Sequence, residues 1–145
     1  MVSAKFVHLI ESHAEQIADR VLSELRRDER RRQIASLPEA ELREVCQRIL
    51  RNLGHWLTAA SEQEIGRYYE ERGRIRAAEG VPLHEVVYLF LLLKSRMLDF
   101  VRNQGFPHTS VDVYAAEELE HAVGRFFDCA VYHLVRGYEA ALRGM

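Results

Sequence analysis

The chain has 145 residues, 48% of them hydrophobic and 29% charged. That is one domain's length with enough apolar side chains to bury a core, which excludes a multidomain enzyme and a disordered polypeptide. Twenty Lys plus Arg against 22 Asp plus Glu give a formal net charge of −2, so no global basicity points to nucleic acid and no acidic tail points to a basic partner.

The N-terminal residues MVSAKFVHLIESH lack the basic, apolar, small-residue order of a signal peptide, and a cytoplasmic location is expected. A first helix is predicted after Ser3, with Phe6, Ile10, Ile17, Val21 and Leu25 on one face. It dissolves into the run Arg26–Arg32. A capping box at Ser36 and Glu39, with Pro38 in the first turn, predicts a second helix. Its apolar face is Leu42, Val45, Cys46, Ile49, Leu50, Leu53, Trp56 and Leu57. A second capping box, Ser61 and Glu64, opens the third helix, whose apolar positions are Ile65, Tyr68, Tyr69, Ile75 and Ala78. This helix is the most polar, and Gly66 and Gly73 weaken it.

Gly80 stops the third helix and Pro82 starts the fourth. The fourth carries the most apolar stretch, Val86 to Leu93. A membrane span needs about 20 such residues, so this run predicts a helix buried on most sides and no membrane partner. Gly105, Phe106 and Pro107 end it. Thr109 or Ser110 caps the fifth helix, which would be about 50 Å long if unbroken. From Phe126 onward its apolar residues are too many for one narrow seam. That excess predicts contact with the domain core on one side and a second chain on the other. The final helix is still amphipathic where the sequence stops, which suits a helix leading into an output module. No strand is predicted. The expected fold is all-α: a single-domain five-helix bundle over residues 1–145, globin-like in one form, with a long C-terminal helix.

No GxSxG, P-loop, HExxH or GxGxxG sequence is present, and no catalytic residue is assigned. Cys46 and Cys129 are far apart without a CxxC partner, so neither a disulfide framework nor a zinc site is expected, and no metal ligand is assigned. None of the seven histidines pairs with another at i, i+4. His84, in the first turn of the fourth helix, is expected neutral near the helix N-terminus. The run 26–32 is interrupted by Asp28 and Glu29 and has no interleaved aromatics, so it reads as a solvated helix end. Trp56, Tyr69, His84 and Tyr88 are candidate linings of a small-ligand pocket; the alternative is that the aromatics are plain core. Arg76, if buried, is expected to pair with Asp99 or Asp128.

The stretch Tyr69–Val87, YEERGRIRAAEGVPLHEVV, carries G-x-x-R-A, then G-V-P-L, then E-V-V. Phe126-Phe127-Asp128 and the later Tyr138 follow in the last helix. These pieces, in this order, resemble the N-terminal sensor domains of RsbR- and RsbRD-type stressosome co-antagonists, which also precede histidine kinases. The resemblance implies a non-catalytic signalling input domain without a cofactor. It implies a homodimer whose last helix connects to a STAS or histidine-kinase module. Phe126, Phe127, Leu134 and Tyr138 are the candidate dimer and signalling residues of that helix. The second reading is a globin-like protein binding haem or a small ligand, with His55 or His84 reaching in. Against it, the helix between Glu62 and Glu79 holds no histidine.

Overall fold

A computed structural model describes residues 2–104 and 109–144. The helix-ending residues Gly105, Phe106 and Pro107, and also His108, lie outside the described residues. Among the described residues there is no strand, and no helix is long and apolar enough to cross a membrane. The described residues form seven α-helices: α1 (Ala4–Ser12), α2 (Ala14–Arg27), α3 (Arg32–Ala35), α4 (Glu39–Leu50), α5 (Glu62–Ala78), α6 (Leu83–Arg102) and α7 (Ser110–Arg143). A 3-10 turn, Glu29–Arg31, precedes α3, and a π-helical turn, His55–Ala59, follows α4.

The expected five segments become more because local side chains compete with the helical ladder. The first helix breaks at His13, which leaves helical geometry at φ −115°, ψ 24°. Ser12 Oγ donates to the carbonyl of His8 at 2.8 Å, and His13 Nδ1 bonds that of Leu9 at 2.8 Å. Side chains thus satisfy carbonyls that the next turn would have used. The arginine-rich end is organised by Asp28, whose carboxylate caps the 3-10 turn and pairs with Arg30 and Arg31 at 3.1 and 2.5 Å. Those guanidiniums hold the Asp28 carboxyl at about 2. The Ser36 capping box does not form. Ser36 Oγ donates backward to the Gln33 carbonyl, and α4 begins after Pro38 with no side-chain cap. At Ser61 half of the box forms: its hydroxyl accepts from the Glu64 amide, while the Glu64 carboxylate goes to His55 Nε2 at 2.6 Å.

Helix α6 is the axis of the bundle. Val86, Leu89, Phe90, Leu93, Met97 and Phe100 are all buried, with α1, α2 and α3 packed on one part of its surface and α5 and α7 on another. Only Leu91 of the apolar octet is strongly exposed. Helix α7 is unbroken over 34 residues, about 51 Å of rise. Thr109 is its cap, accepting from the Asp112 amide.

The closest packing is between α5 and α7. A Cβ placed on Gly137 would lie 2.0 Å from the Glu70 carbonyl oxygen, and one on Gly73 would lie 2.1 Å from that of Leu134. The two backbones therefore touch, and the contact face of α5 is Ile65, Gly66, Tyr69, Gly73, Arg76 and Ala77. Ile75 is only half-buried and Ala78 is exposed, against expectation. An apolar pattern reads side chains, whereas here much of the buried surface is bare backbone. Gly137→Ala is expected to destabilise the fold by about 3 kcal/mol or more, lowering Tm by roughly 6–12 °C. Gly124, also in α7, has nothing within 4 Å of a built Cβ. Gly124→Ala should instead stabilise by about 0.5–1 kcal/mol through helix propensity. Thermal and urea unfolding of the two variants checks both signs.

Candidate functional site

The G-V-P-L sequence forms the turn between α5 and α6. Gly80 supplies the left-handed residue, φ 75°, that closes α5, and Pro82 sits directly before the first residue of α6. Three buried polar interactions surround this turn. Tyr138, on α7, donates its hydroxyl to the Val81 carbonyl at 2.5 Å. The far helix is thereby tied to the turn itself, and an otherwise orphaned carbonyl is satisfied.

Arg76, 4% exposed, lies one turn before Gly80. It pairs with Glu41 of α4 and with Glu79, the residue that caps the end of its own helix, both at 2.6 Å, rather than with Asp99 or Asp128. Burial pulls its pKa down, but the two carboxylates more than offset this and hold it above the ordinary arginine value. Asp99 pairs instead with Arg96 and Arg102. Glu85, 5% exposed in the first turn of α6, accepts from the amides of Gln33 and Ile34, each at 3.1 Å. It caps the one-turn α3 and holds Ile34 in the core. One short segment thus binds α3, α4 and α7 through Glu85, Arg76 and Val81.

Beside the joint is an aromatic cluster. Tyr69 lies 5.9 Å from Trp56, 5.7 Å from Phe90 and 6.0 Å from Phe126, between ring centroids. Trp56 is carried by the π-helical turn and donates its indole N–H to the Arg48 carbonyl at 2.9 Å. Burial pushes the Tyr69 phenol well above its usual pKa, so it stays protonated. The free space between Tyr69, Val86, Phe90 and Leu134 is about 20 Å³, room for about one water.

Of the four candidate pocket residues, Trp56 and Tyr69 come together and the other two do not join them. His84 is exposed at the start of α6. Tyr88 is half-buried, with the Arg31 guanidinium 3.7 Å above its ring. Phe126, Phe127, Leu134 and Tyr138 of the last helix are all buried within the chain's own core. The exposed large apolar residues of α7 are Val111, Val113, Tyr114, Tyr132 and Leu142. Sequence reading missed Glu41 and Glu85 as partners. A signal for Glu85 existed in its place within E-V-V, an acid at the start of the most apolar helix.

The model of the family described as "RsbT co-antagonist protein rsbRD N-terminal domain" matches residues 15–145, nearly the whole chain. No curated protein matches, and no solved structure matches.

Arg76 is the buried member of its network, while Glu41 and Glu79 are about a third exposed and take up water when it is removed. Arg76→Ala is therefore expected to cost about 1–3 kcal/mol, from lost packing and lost hydrogen bonds, and Tyr138→Phe, which strands only the Val81 carbonyl, about 1–2 kcal/mol. Urea unfolding at constant m-value measures both.

Proposed function

This chain belongs to the RsbRD N-terminal domain family, and we propose that it is a signalling input domain of the stressosome type. It makes and breaks no bond. It acts by changing how its helices pack and by passing that change along α7 to a STAS or histidine-kinase module. The observation that carries this reading is the family match over residues 15–145. The joint at Gly80–Glu85 supports it, because α7 is fastened there by Tyr138 and α3 and α4 by Glu85 and Arg76. A repacking at the joint has a direct route into the long helix. Shifts of about 1–2 Å, or a rotation, are the usual scale of such a device. A stimulus can drive it only by binding the two arrangements with different affinity. A ligand entering beside Tyr69 would have to part α5 from α6, since the space there holds about 20 Å³.

The domain works as a homodimer through its last two helices. With Phe126, Phe127, Leu134 and Tyr138 taken up by the core, the available contact residues are the outward ones, Leu91 of α6 and Tyr132 of α7 among them. Size-exclusion chromatography with light scattering at micromolar concentration should give twice the 16.9 kDa chain mass; a strict monomer would sink the dimer. For the relay, a STAS or kinase module joined after the chain should change its output several-fold in Tyr138→Phe. It should not respond to Glu139→Gln, an exposed neighbour. Equal output from both variants would remove Tyr138 from the pathway.

A further inference from the structure

Away from the joint, where the first turns of α5 meet the middle of α7, three metal-binding side chain types converge. Glu62 is the first residue of α5, and Cys129 and His133 stand four apart on α7. One carboxylate oxygen, the thiol sulfur and one ring nitrogen all lie within 4.8 Å of one another. The imidazole is prepared for coordination. Its Nδ1 faces the Glu70 carboxylate at 2.6 Å. A carboxylate accepts, so Nδ1 carries the proton in the neutral ring and Nε2 presents its lone pair. Nε2 is buried, lacks a hydrogen-bond partner, and lies 4.0 Å from the Glu62 carboxylate. A built Cβ on Gly66 would meet the ring at 2.9 Å, so the backbone of α5 leaves a seat for it.

We propose that Glu62, Cys129 and His133 bind a divalent zinc-like cation, with Glu70 as the positioning residue for His133. A thiolate, an imidazole and a carboxylate are the three donor types that zinc takes. Bonds of about 2.0–2.3 Å place such donors roughly 3.3–3.7 Å apart. The donors, within 4.8 Å of one another, have to close by up to about 1–1.5 Å, which rotation of the exposed Glu62 side chain and of the Cys129 thiol supplies. Glu62 and Cys129 also line an open groove with Trp56, Leu57, Phe126 and Asp128, from which water or a ligand would complete the tetrahedron. Burial and the Glu62 charge push the Cys129 thiol pKa up, so the metal-free thiol keeps its proton. Metal uptake forms the sulfur–metal bond and releases that proton to solvent. The other groups facing the ring are the Tyr132 ring at 5.1 Å and Arg136, which reaches Glu70 at 3.8 Å. The site is a matter of binding and stands whether or not α7 relays a signal.

The test is a titration of the full, reduced chain with zinc chloride in competition with a chromophoric chelator. One zinc per chain is expected, with Tm raised by about 5–10 °C at saturation. Cys129→Ser and His133→Ala should abolish the competition. Glu62→Gln, on the surface, should weaken affinity by about 10-fold or more, and Glu70→Gln by about 10–100-fold. Zinc should also slow alkylation of Cys129 by N-ethylmaleimide. Cys46, fully buried with its thiol pushed up to about 12, stays unreactive with or without metal and serves as the internal reference. If circular dichroism shows His133→Ala unfolded, Cys129→Ser and Glu62→Gln decide. No competition by the wild-type chain overturns the proposal, as does full affinity in both of those variants, which would put the zinc on other histidines.

Discussion

The structure depends on the direct contact of two backbones. Gly73 and Gly137 let α5 and α7 approach until the carbonyl of Leu134 meets the space above Gly73 and that of Glu70 meets the space above Gly137. Two helices this close bury peptide groups that an ordinary side-chain interface would hold apart, and packing rather than propensity decides their stability. The glycines that lower the helical propensity of α5 are therefore the residues that give it a place in the fold. Its weak apolar pattern has the same origin.

The buried polar groups around the α5–α6 turn have a different task. A buried ion pair adds little net stability over an apolar replacement, because desolvation cancels most of the attraction. What Arg76, Glu85 and Tyr138 supply is exclusivity. Each has partners on an element far away in sequence, and each is satisfied in only one arrangement of the helices. Any alternative packing leaves a charge or a carbonyl stranded. The G-x-x-R-A, G-V-P-L and E-V-V pieces are thus one device. Glycine makes room, the left-handed residue turns the chain, and the charged residues fasten the surroundings.

Much of this was legible from the sequence. The boundary at Gly80 and Pro82, the buried run of α6 and the uninterrupted α7 all follow from turn chemistry and apolar period, and the structure has them. The break at His13 was not legible, because it arises from Ser12 and His13 side chains bonding carbonyls one turn back, and similar residues sit harmlessly inside many helices. The partners of Arg76 were missed because Glu41 is 35 residues away and only the tertiary fold brings α4 to α5. The aromatic residues show the limit of a one-dimensional reading from the other direction. Tyr69 and Tyr88 both belong to the region of the motif, yet one faces Trp56 and the other faces Arg31. The Cys129 and His133 spacing was visible, but weighing cysteines against cysteines and histidines against histidines separated two residues that share a helix face.

The geometry also restricts how an input domain of this build moves. Glu62 meets His133 and, further along α5, Gly73 meets Leu134 and Tyr138, so the contact runs over roughly 16 Å of helix. Sliding α7 along α5 by even part of a turn would drive a carbonyl into a Cα or a side chain into a glycine seat at several places at once. The pair is accordingly rigid as a unit, since close-packed interfaces resist continuous deformation. The interface of α5 with α6 lacks such glycine seats; it is made of side chains, Tyr69 against Phe90. Side-chain interfaces have alternative rotamers and so alternative arrangements, and α6 is hinged to α5 only through the turn at Gly80–Pro82. On the proposed relay, a change of state therefore falls between the α5–α7 unit and α6, with the Tyr138–Val81 hydrogen bond at the pivot and α7 as the lever.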